Sequence, residues 1–158
     1  MTHGDRGMMW FAFVLLVTGI VVLLWLLVAG RAEAGEGEPL PLRRLFDALH
    51  QVEASGQLKP PDGDGGRAIG PYQIWPIYWQ SAIEHAPELG GTYQDCRRKD
   101  YAEWIILAHW LRFCPAALEA YDLRTLARIH KGGAPGRRNP KTLAYWHRVK
   151  AELDKAEP

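Results

Sequence analysis

Most of the chain after residue 41 repeats its apolar positions every three to four residues, the pattern of helices packed on a common core. The first such segment, about 42–54, carries an apolar stripe formed by Leu45, Phe46, Leu49 and Val52. Glu53 lies on the same face, at the C-terminal end of the stripe. A carboxyl group beside apolar side chains loses hydration, which favours its protonated form. Glu53 is therefore predicted to hold a proton that catalysis can use.

Four later segments are also predicted to be helical, because similar patterns lie between helix start and stop signals. They begin near Pro76, Asp100, Asp122 and Asn139, and the first three end at about residues 85, 113 and 130. Asp100 and Glu103 form a capping-box-like pair at the start of the third helix of the chain. That helix is apolar on nearly every side, so we expect it to be the buried central helix. The last helix carries the stripe Leu143, Trp146, Val149 or Lys150, and Leu153.

Two glycine-rich loops interrupt these helices. The loop at 55–69 contains Asp62-Gly63-Asp64-Gly65 and is too rich in Gly and Pro for regular structure. Its Asp-Gly pairs are tight-turn signals, which predict a short irregular hairpin. The second loop, at 130–136, reads His-Lys-Gly-Gly-Ala-Pro-Gly. The sequence therefore predicts a predominantly helical α+β fold with a small irregular β/loop lobe.

An unbroken apolar run at 8–29 precedes the globular part and is long enough to span a bilayer as one hydrophobic helix. Ala32-Glu33-Ala34 also matches the small-residue pattern of a signal-peptide cleavage site, so both a retained anchor and a cleaved signal stay open. We predict a signal peptide or membrane anchor at 1–34, a linker at 35–41 and a folded domain at 42–155. Either alternative predicts an extracytoplasmic domain, anchored by the N-terminal helix or secreted after cleavage near Ala34.

Charge and cysteine content narrow the possible partners. A net charge of +1 over 158 residues lacks the basic excess of a nucleic-acid-binding protein. A predicted helix separates Cys96 from Cys114 and would hold their Cα atoms roughly 20 Å apart. A disulfide requires a Cα separation below about 7 Å. We therefore expect two free thiols. We also expect the protein to be a monomer.

A pair of carboxyl groups is the chemistry that the sequence suggests most directly. One protonated carboxyl group facing one ionised carboxyl group is the arrangement that cleaves glycosidic bonds. Glu53 would be the protonated member, and either Asp62 or Asp64 would be the ionised one. Both aspartates are also common turn residues, and their loop resembles the start of a calcium site. Gln73 stands where the bidentate Glu of such a site would be, so we expect no metal and no cofactor.

Three short segments carry a family resemblance. They read QVEASG at 51–56, GPYQI at 70–74 followed by Tyr78-Trp79, and ARIHKGGAPG at 127–136 followed by Tyr145-Trp146. Each alone is a weak signal, but all three in this order, over about 42–150, are fairly specific. The chain resembles the invertebrate-type lysozyme (destabilase) family of the lysozyme-like superfamily.

The resemblance implies a lysozyme-like fold that hydrolyses the β-1,4 bond between N-acetylmuramic acid and N-acetylglucosamine in peptidoglycan. It implies that Glu53 is the general acid and that a loop aspartate is the nucleophile or stabiliser. The loop is about two residues shorter than in relatives, so Asp62 and Asp64 both remain candidates, with Asp64 nearer the expected spacing. The glycan strand is expected to contact Tyr72, Gln73, Trp79, His130, Gly132 and Gly133.

The chain also departs from the family pattern. The family's many cysteines are almost all missing, Ala54 replaces the usual Ser, and Lys131 replaces the usual Asn. A core position for Trp79 and a structural role for His130 stay open. Three alternative functions also stay open: a lytic transglycosylase that uses Glu53 alone, a non-catalytic wall-binding module, and an isopeptidase. For the isopeptidase, the spacing of Ser55 and His130 gives no support.

Overall fold

The structure, a computed structural model, describes residues 41–155, and six α-helices account for most of that part of the chain. These are α1 (Pro41–Ala54), α2 (Pro76–His85), α3 (Lys99–Phe113), α4 (Pro115–Glu119), α5 (Leu123–Gly132) and α6 (Thr142–Lys155). Short 3₁₀ turns lie at Asp64–Gly66, Pro87–Leu89 and Tyr93–Arg97. The β structure among these residues consists of two isolated antiparallel bridges, Gly63 to Ala68 and Ile69 to Ile74. The predicted predominantly helical fold with a small irregular lobe is confirmed.

The signal peptide or anchor predicted at 1–34 lies outside the described residues, as does the predicted linker except for Pro41, which begins α1. Between residues 41 and 155, no helix combines the length and the apolar character that crossing a membrane requires.

The central position of α3 explains how the core is assembled. Trp110 on α3 is completely buried, and its ring stacks on Phe46 of α1 with centroids 5.4 Å apart. The indole Nε1 of Trp110 also donates a 3.0 Å hydrogen bond to the backbone carbonyl of Leu126 on α5. One side chain of α3 thus contacts both α1 and α5, and the predicted buried central helix is confirmed.

The predicted cap of α5 is confirmed, but the predicted capping pair of α3 is wrong. Asp122 caps α5, since its carboxylate accepts a 3.1 Å hydrogen bond from the backbone N–H of Thr125. At α3, Asp100 pairs with Arg98 at 2.8 Å instead of capping the helix. Glu103 faces inward and accepts hydrogen bonds from Arg43, 60 residues earlier in the chain. The capping box of this region belongs to the preceding 3₁₀ turn.

The stripe predicted for α6 is only partly right. Val149 and Leu153 are buried, but Tyr145 occupies the buried position in place of Trp146. The helix begins at Thr142, whose hydroxyl donates a 2.8 Å hydrogen bond to the backbone carbonyl of Gly136. This contact with the preceding loop sets the rotation of the first turn, which the apolar pattern alone does not determine.

The loop before α2 is held against the 3₁₀ turn at Tyr93–Arg97 by a close backbone contact. Gly70 has φ +72°, and a Cβ atom there would lie 2.0 Å from the carbonyl oxygen of Cys96. Only glycine fits such a position.

Cys96 and Cys114 are both free thiols, which confirms the prediction.

Candidate active site

Glu53 lies in the last turn of α1, at the edge of a cleft of about 380 Å³. Its side chain is 11% exposed, so the carboxyl group is mostly covered but still reaches the cleft. Among the described residues that line the cleft, Glu53 is the only one with a carboxyl group. The other lining residues are Gln73, Ile74, Trp75, Ile77, Tyr78, Ser81, His109, Phe113, His130, Lys131, Gly132, Gly133 and Ala134.

Two side chains, one from α5 and one from α6, approach Glu53. The ammonium of Lys131, at the end of α5, lies 3.6 Å from Glu53 Oε1. The Tyr145 hydroxyl on α6 is buried and lies near enough to Glu53 to interact with it electrostatically. The geometry of the two groups falls short of a hydrogen bond. Burial, followed by the charge of Glu53, holds the pKa of Tyr145 well above its ordinary value. Glu53 is therefore enclosed by a cation and a neutral phenol.

Asp62 does not line the cleft, because it is occupied elsewhere. Both of its carboxylate oxygens accept hydrogen bonds from the guanidinium of Arg97, at 2.6 and 2.8 Å. This bidentate contact lowers the pKa of Asp62 and keeps it ionised. The interaction fastens the loop to the 3₁₀ turn before α3.

Asp64 is exposed and also stands outside the lining of the cleft. It begins a 3₁₀ turn with φ +48°, and its backbone carbonyl accepts a 3.1 Å hydrogen bond from Arg67. Its contacts are those of a turn residue. The structure thus brings neither of the two aspartates to the cleft beside Glu53.

Two aromatic residues that the sequence placed at the glycan belong to the core instead. Tyr72 is completely buried, and its hydroxyl donates a 2.5 Å hydrogen bond to Glu103. Trp79 packs against the core and donates a 3.1 Å hydrogen bond from its indole to the Tyr101 hydroxyl. Neither residue lines the cleft. A pattern of aromatic residues cannot distinguish core positions from cleft positions, since both favour large rings.

Gln73 does line the cleft, but its amide group is used to hold the loop. Its Nε2 donates hydrogen bonds to the backbone carbonyls of Gly70, at 3.1 Å, and Pro61, at 3.3 Å. The residue adopts φ +50°, which turns the chain so that the side chain points back over the loop. Gln73 therefore ties the aspartate-containing loop to the segment that walls the cleft.

His130, Gly132 and Gly133 all line the cleft, at the end of α5. His130 is nevertheless buried, with its Nδ1 3.3 Å from the Tyr78 hydroxyl. Burial, reinforced by Lys131, lowers the pKa of His130 to about 3. The imidazole is therefore neutral at ordinary pH and does not act as a cation toward a substrate.

Sequence reasoning missed the part of the cleft that α2 and α3 supply. Ser81, His109 and Phe113 line it, with Ser81 Oγ 2.9 Å from His109 Nδ1. Burial lowers the pKa of His109 to about 4, so this imidazole is neutral as well. The apolar residues on all sides of α3 hid the position of His109. Lys131 was visible as a departure from the family pattern, but its proximity to Glu53 was not.

Among residues 41–155, no three His, Cys, Asp or Glu side chains are grouped so as to hold a metal ion. The chemistry that the described site offers is proton transfer by one enclosed carboxyl group, next to a cation.

The described residues form a helical fold with a glutamate in the last turn of its first helix, at the edge of a cleft. Over 89 residues it is 37% identical to a lysozyme of Magallana gigas. The match covers 52% of this chain and 58% of that protein. No family model matches the sequence. The similarity confirms the resemblance to invertebrate-type lysozymes.

Proposed function

We propose that this protein cleaves the glycan strands of peptidoglycan, with Glu53 as the general acid. The observation that carries the proposal is the mostly covered carboxyl group of Glu53 at the edge of a cleft, in a chain similar to a lysozyme. The proposed bond is the β-1,4 linkage between N-acetylmuramic acid and N-acetylglucosamine, the muramidase reaction.

Glu53 would act by giving its proton to the oxygen of the glycosidic bond. The bond between that oxygen and the sugar C1 then breaks, the electron pair leaves with the oxygen, and positive charge develops on the sugar ring. Proton transfer from a positioned side chain contributes roughly 10²–10⁴-fold to such rates.

The partner of Glu53 in hydrolysis is Asp64 in our proposal. The guanidinium of Arg97 already pairs with both carboxylate oxygens of Asp62, so Asp62 is the weaker candidate. Asp64 lies outside the cleft lining, and its part in the reaction would require the 3₁₀ turn at Asp64–Gly66 to approach Glu53.

A second candidate function is that of a lytic transglycosylase. It is favoured by one observation: Glu53 is the only carboxyl group among the described residues that line the cleft. In that reaction a hydroxyl group of the muramic acid residue itself attacks C1 and gives its proton to the Glu53 carboxylate, so no second carboxylate is needed. The product then ends in a 1,6-anhydro ring instead of a reducing sugar.

The two reactions are separated by mass spectrometry of peptidoglycan digested with the full-length protein. Glu53→Gln is expected to abolish product formation under either proposal, while Glu88→Gln, at an exposed site on the 3₁₀ turn after α2, serves as the matched control. Reducing ends that disappear in Asp64→Asn support hydrolysis with Asp64. Anhydro ends that persist in both Asp62→Asn and Asp64→Asn support the transglycosylase.

Cleavage that continues normally in Glu53→Gln would refute the assignment of Glu53. Binding to peptidoglycan without any product from the wild-type protein would instead indicate a wall-binding module.

We also propose that the protein acts outside the cytoplasm, on the strength of the apolar run at 8–29. A fractionation experiment that found the protein in the cytoplasm would contradict this.

A further inference from the structure

We propose that Lys131 is a positioning residue for proton transfer from Glu53. Its ammonium would stabilise the negative charge that appears on Glu53 as the proton leaves. This inference rests on the function proposed above and adds to it a residue for which the family resemblance offers no precedent, since Asn is usual at this place.

The geometry carries the proposal. Lys131 Nζ lies 3.6 Å from Glu53 Oε1, and the Glu53 side chain is only 11% exposed. A mostly covered carboxylate is screened less by water than a surface carboxylate, so a cation at this distance has a larger effect on it. Lys131 itself is 45% exposed, which moderates the effect.

The side chain of Lys131 lies over the ring of Tyr145 on α6. Its ammonium lies 5.3 Å from the centre of the Tyr145 ring, at a distance where a cation is attracted to an aromatic face. Arg148 approaches the same ring, at 5.5 Å. Tyr145 is buried and neutral, so it supports Lys131 near Glu53 without offering a competing negative charge.

The charge of Lys131 matters at one stage of the reaction. Before proton transfer, the acid form of Glu53 is neutral and gains little from a neighbouring cation. During transfer, the proton moves to the glycosidic oxygen, the C1–O bond breaks, and a full negative charge remains on Glu53. An interaction that is stronger in the transition state than in the ground state raises kcat with little change in KM.

The experiment compares two substrates that differ in their need for an acid. The glycan strands of peptidoglycan release a sugar alkoxide unless it is protonated, whereas a 4-nitrophenyl glycoside of the same sugars releases a stable phenolate without help. Both are measured with the full-length protein at acidic pH, on the plateau where further acidification no longer raises the rate.

Lys131→Met is expected to lower kcat on the glycan about tenfold, equivalent to about 1.4 kcal/mol, with KM nearly unchanged. Nitrophenol release should change by less than about twofold, because that step does not draw on the acid. Lys131→Arg should restore the rate on the glycan to within about threefold of wild type, because it restores the charge. Lys141→Met, at an exposed lysine before α6, is the matched control and should change neither rate.

Three outcomes would overturn the inference: no loss on the glycan in Lys131→Met, an equal loss on both substrates, or no recovery with Lys131→Arg. Lys131→Gln repeats the comparison with a side chain that keeps a polar end, in case the methionine variant does not fold. Glu53→Gln distinguishes the two levels of proposal. If it keeps full activity on the glycan, the proposed function fails, whereas if it is inactive and Lys131→Met matches wild type, the inference alone fails.

Discussion

Two buried histidines should make the folded protein sensitive to mild acid. Burial, reinforced by a neighbouring cation, lowers the pKa of His130 to about 3 and that of His109 to about 4, from an ordinary value of 6.5. Between pH 6.5 and 4 the unfolded chain therefore binds more protons than the native protein. The free energy of unfolding is highest above pH 6.5 and falls as the pH is lowered through this window.

The magnitude follows from these pKa values. Each histidine removes about 1.4 kcal/mol of unfolding free energy per pH unit inside the window. Lowering the pH from 7 to 5 thus costs about 2 kcal/mol for each histidine and about 4 kcal/mol for both. Carboxylates such as Asp62 and Asp95 contribute little here, because their pKa values are lowered from 3.8 and their stabilisation is lost only in stronger acid.

The assay is urea unfolding at pH 7 and pH 5, followed by tryptophan fluorescence. We expect wild type to lose about 4 kcal/mol and His109→Phe, which keeps an aromatic ring stacked on Tyr78, to lose about 2 kcal/mol. His147→Gln, at an exposed histidine on α6, is the control and should behave like wild type. A loss below about 1 kcal/mol in wild type, or equal losses in wild type and His109→Phe, would refute the reasoning.

Three further predictions concern stability and thiol chemistry. Gly70→Ala should destabilise the fold by more than about 2 kcal/mol in thermal unfolding, because the added Cβ meets the Cys96 carbonyl. Gly65→Ala, at a similar φ but with open space around it, should cost about 1 kcal/mol, and equal effects would contradict the steric argument. Asp122→Ala should cost about 1 kcal/mol through loss of the cap on α5, measured by urea unfolding, and no change would show that the cap contributes nothing. Burial raises the pKa of Cys96 to about 12 and that of Cys114 to about 11, so a disulfide-exchange reagent at pH 8 should label them only after denaturation, and rapid labelling of the native protein would refute this.

Local signals in the sequence predicted much of the helical framework. Pro76 marks the start of α2, and the helix ends at His85, as the apolar pattern indicated. Asp122 caps α5 because an N-cap depends on backbone groups only a few residues away. Such features depend on nearby atoms, so a single sequence contains what is needed to infer them.

The side-chain roles that could not be inferred from the sequence depend on hydrogen-bond partners that are distant along the chain. Glu103 has the spacing of a capping partner for Asp100. Its carboxylate instead accepts hydrogen bonds from Arg43 and Tyr72, which lie on other elements. Asp62 was one of two candidates for the second catalytic carboxylate, but Arg97, 35 residues later, holds it elsewhere. Charge pairing across the fold decides these positions, and no periodic pattern records it.

In the cleft, too, local sequence patterns predicted some residues, whereas others depend on tertiary contacts. Glu53 was predicted to be the acid from its place at the end of an apolar stripe, which is local information. His109 was missed because α3 is apolar on most sides and offers no contrast between faces. That Lys131 approaches Glu53 depends on how the end of α5 packs beside the end of α1, which only the tertiary structure determines.

The loop after Glu53 is anchored at two points, and this gives the chain a site where its length can change. The carbonyl of Gln57 lies 2.9 Å from His50 Nε2, and the carbonyl of Pro61 accepts a hydrogen bond from Gln73. Between these anchors lie residues 58–60, of which Leu58 is 63% exposed. Residues inserted there would extend into solvent without displacing either anchor. A change of a few residues in loop length can therefore be accommodated at 58–60, which also makes this segment the natural place to graft an epitope or a label.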